Sequence, residues 1–336
     1  MTRVNVIDRE YVPPLASIEA SEPIPVNVHA LSIGELMALN LPERPRHLPW
    51  LREGGLIMIY GPRGLGKTFF ALGLGLSLAT GENFIRWPIT KPVGVLFVDG
   101  EMMLTDLRER ITGMLSTKPS AEIQIISHEV VFDKQERDLD FGSDLWQTAL
   151  ETHLEANPNI KVVILDNLSC LLPSIREDKR DDWSSKVMPW LIRMRRRGIS
   201  VVLIHHSGKG GDQRGTSSRE DQLDTVIKLS PLPDADATRG AQFRISFSKS
   251  RGCYGSDVED IEAYLCEIAG VPTWTWKAVE ESNTQRLLSL VRDGIDNVTD
   301  AAIELDLTKG AVSKLKKKLV ASGDLKVGVK LVLAYD

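Results

Sequence analysis

The sequence predicts an α/β chain, with a mainly parallel central sheet flanked by helices and a small C-terminal winged helix-turn-helix after it. Three observations carry that prediction. Short, fully apolar runs recur at Leu56–Tyr60, Val93–Val98, Val162–Leu165 and Val201–Ile204. Long helical patterns separate them, notably Thr68–Thr80, Asp144–Glu155 and Trp183–Arg197. Strands apolar on both faces and alternating with helices belong to a parallel sheet covered on both sides. Beyond Ala278 the texture changes to three short segments of helical period and a weakly alternating tail.

The 336 residues carry 46 acidic and 41 basic side chains, a formal charge of −5, with 42% apolar and 26% charged residues. That balance fits a folded chain of one large and one small domain, and excludes a wholly disordered or collagenous one. Cys170, Cys253 and Cys266 are scattered, giving neither a disulfide framework nor a CxxC metal pair. A reducing, cytoplasmic setting is expected. The polar start Met1–Glu10 does not read as a secretory signal, and the longest apolar stretch, Phe69–Ala79, is too short to cross a bilayer. No membrane partner is expected.

Residues 1–30 mix charges with Pro13, Pro14, Pro23 and Pro25 without a sustained period, and are read as a flexible arm. Ser32 before Ile33–Leu39 marks a short capped helix. The main domain, 31–278, is entered through the proline-broken Leu41–Trp50. Two later strand candidates, Thr225–Leu229 and Phe243–Ser248, are expected to extend the sheet as antiparallel or edge strands. In 279–336, Gln285–Val291, Val298–Leu305 and Lys309–Val320 read as helices and Leu325–Ala334 as a hairpin, the order of a winged helix-turn-helix.

Gly61-Pro62-Arg63-Gly64-Leu65-Gly66-Lys67-Thr68 fits G-x-x-x-x-G-K-[ST], with Phe69 next. Glycines let the backbone curl so that successive N–H groups point at β- and γ-phosphates. Lys67 adds a charge to the terminal phosphates, Thr68 offers its hydroxyl to Mg²⁺, and the following helix contributes its positive N-terminal end. ATP with Mg²⁺ is the expected ligand pair. Val162–Leu165 runs into Asp166, a carboxylate placed to hold the metal together with Thr68. Val95–Val98 runs into Asp99-Gly100-Glu101, where Glu101 can polarise a water in line with the γ-phosphate. This strand is expected to lie next to the P-loop strand. Val201–Ile204 runs into His205-His206, and open α/β sheets bind ligands at such strand ends. Either histidine can contact the γ-phosphate; His206, beside the outgoing loop, is preferred.

Together these strand ends resemble the RecA/DnaB-like branch of P-loop ATPases, through Glu101 on the strand after the P-loop. Within it, Gly61–Thr68, Asp99-Gly100-Glu101, Leu165-Asp166-Asn167 and His205-His206-Ser207-Gly208-Lys209 look most like the plasmid RepA-type hexameric helicases (an AAA_25-like family) and related phage and mobile-element ATPases. The resemblance covers roughly residues 31–255. It implies a RecA-like core, a homohexameric ring with ATP at each subunit interface, and single-stranded DNA in the channel. It also implies a cation from the neighbouring subunit that stabilises the cleaving phosphates. Lys249-Ser250-Arg251 is similar to the K-x-R of DnaB-like helicases. Arg251 is the first choice for that finger, Lys249 assists, and Arg214 is the reserve. The winged helix is a departure from the RepA-type pattern, and bears on unwinding more than on ATP hydrolysis.

The Gly- and Ser-rich stretch after His206 carries Lys209, Arg214 and Arg219, which suit sequence-independent phosphate binding in a ring channel. Thr308–Lys330 holds seven lysines against Asp324 alone. Lys314, Lys317 and Lys318 are expected to face duplex DNA with little base reading, because the helix lacks Arg, Asn and Gln. The reading is an ATP-hydrolysing, ring-forming, helicase-like DNA motor in replication of a plasmid, phage or mobile element. The alternative is an ATP-switched DNA-binding, helicase-loader or regulatory protein without processive unwinding.

Overall fold

A computed structural model of the chain describes residues 28–176, 180–207, 220–232, 240–279 and 283–334. The arm expected over 1–30 lies almost wholly outside them. The chain divides into two compact units, Met1–Glu43 and Arg44–Asp336. In the first, helix α1 (Ile33–Ala38) starts at Ser32, whose hydroxyl accepts from the Glu35 N–H while the Glu35 carboxylate accepts from the Ser32 N–H at 2.7 Å. This reciprocal box satisfies two backbone donors and specifies the helix locally.

The second unit begins with a small antiparallel pair, β1 (Arg46–Leu48) and β2 (Leu51–Arg52). The main sheet then collects β3 (Leu56–Gly61), β4 (Gly94–Asp99), β5 (Ile123–Ser127), β6 (Ile160–Asp166), β7 (Ser200–His206), β8 (Thr225–Ser230), β9 (Gln242–Ser250), β10 (Ile261–Ile268) and β11 (Val271–Ala278). Their order is β11-β10-β9-β8-β3-β7-β6-β4-β5. From β8 to β5 every pairing is parallel, and from β8 to β11 every pairing is antiparallel.

Two expectations about this sheet are corrected. The Glu101 strand β4 is not adjacent to the P-loop strand β3, because β7 and β6 lie between them. Nor is β8 an edge or antiparallel addition: it pairs in parallel with β3 through Ile57↔Thr225 to Tyr60↔Lys228. The residues explain the second point. Thr225, Val226, Ile227 and Leu229 are buried, which suits an interior strand covered on both faces.

Helices cover both faces. On one, α2 (Lys67–Thr80) buries Phe70, Leu74 and Leu78 against Ile57, Ile59, Val95 and Ile164. Phe70 meets Phe84 edge-on at 4.8 Å; truncating so buried a ring costs roughly 3–5 kcal/mol. Helices α3 (Leu104–Met114) and α4 (His128–Gln135) follow β4 and β5. On the other face, α5 (Asp144–Ala156) and α8 (Met188–Arg196) cover Leu56, Met58, Val163 and Leu203. Short α6 (Leu168–Leu171) and α7 (Arg180–Asp182) lie between them in sequence. The helix expected over Trp183–Arg197 opens with a π-turn at Trp183–Val187 ahead of Pro189, whose missing N–H cannot continue the regular ladder.

The C-terminal residues form helices Asn283–Arg292, Val298–Leu305 and Lys309–Ala321, with a core of their own that includes Leu287, Ala301, Leu305, Val312, Leu319 and Leu331. Asn297 and Thr308 cap the last two. The expected hairpin reduces to one bridge, Leu325↔Leu333, closed by the Lys326 N–H on the Val332 carbonyl at 2.8 Å. Among the described residues no helix is long and apolar enough to cross a membrane.

Candidate functional site

Parallel strands bring β3, β7, β6 and β4 to the same end of the sheet, so their last residues converge. There an open cleft of about 410 Å³ is lined by Gly66, Lys67, Thr68, Glu101, Asp166 and His206, among others. It is larger than the clefts beside Trp274, about 140 Å³, and beside His205, about 250 Å³. Ligand sites of a few hundred Å³ at strand C-termini are where open α/β sheets act.

The Gly61–Gly66 turn is shaped by close approach. A side chain at Gly61 would meet the Leu229 carbonyl at 2.6 Å, and one at Gly66 would meet Ala241 at 2.4 Å. Gly66, at φ +97°, is also the N-cap of α2 in left-handed conformation, which an L side chain resists. The first N–H groups of α2 and the helix's positive end therefore face the cleft, a ready anion site. Lys67 is buried; its ammonium donates to the Gly61 carbonyl at 2.9 Å and the Pro62 carbonyl at 2.6 Å. Burial lowers its pKa to about 8, against the raising pull of Asp166 and Glu101. Arg63 opposes that pull, and Leu65 packs against the core. The Phe69 ring lies 4.6 Å from the Arg110 guanidinium of α3.

Asp166 is buried and lines the cleft together with Thr68. Desolvation raises its pKa to about 6. Its Oδ2 is buried without a hydrogen-bond partner. An orphaned carboxylate oxygen beside a hydroxyl suits Mg²⁺, so the residues present fit that ion. Among the described residues no group of three His, Cys, Asp or Glu forms a metal cage. Mg²⁺ takes few protein ligands and keeps substrate phosphates and waters. Thr68 and Asp166 would hold it there.

Asp99 is buried at the end of β4, accepts from the Met102 N–H at 3.0 Å, and is raised to about 6 by desolvation. Glu101 is exposed toward the cleft, and the Asn167 side-chain amide donates to its Oε2. His206 lines this cleft, whereas His205 lines the one beside Trp183. Alternation along β7 turns the two imidazoles to opposite faces.

The remaining candidates lie elsewhere. The Lys249 ammonium donates to the Glu220 carbonyl and, at 3.1 Å, to that of Asp221; Arg251 donates to Asp221 at 2.7 Å. Ser250 pairs with Thr225, which pairs with Ile57. The pair thus sits at the N-terminal ends of β8 and β3, away from the P-loop of its own chain. Lys314, Lys317 and Lys318 are exposed on the last helix. Lys209, Arg214 and Arg219 lie outside the described residues. Motif spacing alone gives no role to Asp99, Asn167, Asp106 or Arg110, all of which line the cleft. Spacing could have found Asp106 and Arg110, four residues apart on one face of α3.

Residues 22–212, more than half of the chain, match the family AAA_25, described as an AAA domain. No curated protein matches. Among solved structures, the chain is similar to the KaiC-like protein PH0186 from the hyperthermophilic archaeon Pyrococcus horikoshii OT3. The two share 15% identity and a TM-score of 0.46, over 70% of this chain and 99% of that one.

Proposed function

The chain belongs to the AAA_25 family of AAA domains, and on that premise we propose that it is an ATP-hydrolysing, ring-forming, helicase-like DNA motor serving replication of a plasmid, phage or mobile element. The observation that carries this reading is the convergence of Lys67, Thr68, Asp166, Glu101 and His206 on one cleft. The amides of the Gly61–Gly66 turn and the Lys67 ammonium grip the polyphosphate of ATP. Mg²⁺, when bound, neutralises phosphate charge. Thr68 and Asp166 hold that ion, Glu101 takes a proton from the attacking water, and His206 contacts the γ-phosphate.

Ring formation is supported by the distance of Lys249 and Arg251 from their own P-loop, since a finger that serves a neighbouring subunit has no place in its own site. Arg251 is the proposed finger, with Lys249 beside it. Channel contact with single-stranded DNA falls to Lys209, Arg214 and Arg219. The three C-terminal helices are read as a winged helix-turn-helix whose Lys314, Lys317 and Lys318 dock on duplex phosphates.

That lysine face also favours a second reading, an ATP-switched DNA-binding or loader protein that hydrolyses slowly and does not unwind processively. A strand-displacement assay with ATP separates the two. Displacement of a labelled strand is expected; duplex binding without displacement would favour the switch.

A further inference from the structure

We infer that Asn167 is the positioning residue that sets the Glu101 carboxylate for its reaction, an inference that rests on Glu101 being the base. Asn167 is 2% exposed, and its two amide atoms are both committed. The NH₂ donates to Glu101 Oε2, and the carbonyl oxygen accepts from the Cys170 N–H at 3.2 Å. Chemistry fixes this orientation: a carboxylate only accepts, and a backbone N–H only donates. Asn167 thus joins Glu101, two residues past β4, to the first turn of α6, which it caps.

The join depends on an unusually close approach of α6 to β4. The Gly100 N–H donates to the Asp166 carbonyl at 2.8 Å. A side chain at Gly100 would meet Leu171 at 2.8 Å and the Cys170 side chain at 3.1 Å. Gly100 carries no left-handed conformation, so the clash with α6 alone excludes a larger residue there. Glycine between Asp99 and Glu101 lets α6 come near enough for the Asn167 amide to reach the glutamate. One carboxylate oxygen is thereby anchored, and rotation of a flexible, exposed side chain is restrained. A base displaced by about 1 Å can cost about a hundredfold in rate.

Substitution by aspartate separates this role from simple capping. Aspartate caps a helix as well as asparagine does, but it presents a second carboxylate to Glu101 in place of a donor. In Asn167→Asp, kcat for ATP is expected to fall about ten- to a hundredfold with KM within about twofold. Gly100→Ala, which pushes α6 away, is expected to do the same. In a Glu101→Gln background, Asn167→Asp should add no further loss in single-turnover hydrolysis, because the group it positions is already gone. A wild-type kcat in Asn167→Asp, beside a slow Glu101→Gln, would reduce Asn167 to a helix cap and overturn the inference alone. An equal loss in both backgrounds would also overturn it. Near-normal turnover in Glu101→Gln would instead remove Glu101 as base, and this inference with it.

Discussion

Thr68 and the buried Asp166 carboxylate line one cleft, although the strands that deliver them, β3 and β6, are not neighbours. β7 runs between the two, so the cleft spans a strand at the C-terminal end of the sheet. That end is where the turn after β3 and the acids after β4 and β6 share one cleft.

The first consequence concerns turnover. Lys67→Ala removes the ammonium that now donates to Gly61 and Pro62, and ATP hydrolysis should fall to background in a steady-state phosphate-release assay. Retention of more than a few per cent of wild-type kcat would count against the phosphate role.

Glu101→Gln keeps the shape of the side chain and removes its basicity. Hydrolysis is expected to drop by about 10²–10⁴, the usual worth of a positioned base, with nucleotide affinity nearly unchanged. A fluorescent ATP analogue reads the affinity, and rapid quench reads the chemical step. Weakened binding at an unchanged rate would make Glu101 a binding residue instead.

Asp166 gives the pH dependence. Burial lifts its pKa from 3.8 to about 6, so between those values the folded chain holds a proton that the unfolded chain has released. Its ionisation therefore costs stability above about pH 6, on the order of 2–3 kcal/mol, and the cost fades as pH falls toward 4. Asp166→Asn should raise the ligand-free Tm at about pH 8 by several degrees and lose that gain near pH 4–5, while abolishing Mg²⁺-dependent turnover. A lower Tm at pH 8 would mean that the carboxylate is already well paired. In the wild type, Mg²⁺ must displace the proton, so its apparent affinity should weaken about tenfold per pH unit below about 6.

Gly66→Ala places a methyl group on Ala241 at a left-handed φ. Denaturant unfolding should show a loss of about 1–3 kcal/mol, with loss of nucleotide binding. Full stability with intact binding would contradict the shape assigned to the turn.

Replacing Lys314, Lys317 and Lys318 by glutamate should weaken duplex binding and lower the salt slope of log K by about 3, at roughly 0.9 for each phosphate that a lysine no longer neutralises. Unchanged affinity in a filter-binding titration across salt would assign this face to another partner.

The interior of the sheet was legible because β3, β4, β6 and β7 are apolar on both faces, a pattern unlike that of an amphipathic helix. β10 and β11 were not. Glu262, Glu267, Lys277 and Pro272 break up their apolar residues, so neither segment is the fully apolar run that marked β3, β4, β6 and β7. Strand order was hidden too: β4 follows β3 in the chain, yet β7 and β6 separate them in the sheet, because crossover helices place strands without leaving a local mark. At the site, motif spacing found Lys67, Thr68, Asp166 and Glu101. It gave Asn167 no role, because its hydrogen bond to Glu101 exists only once α6 packs on Gly100.

The most direct measurement is calorimetric titration of the full chain with ATP and Mg²⁺, beside the Lys67→Ala variant. About one nucleotide per chain is expected for the wild type and none at the same concentrations for the variant. Equal uptake by both, or none by the wild type, would contradict a polyphosphate site in the turn after β3.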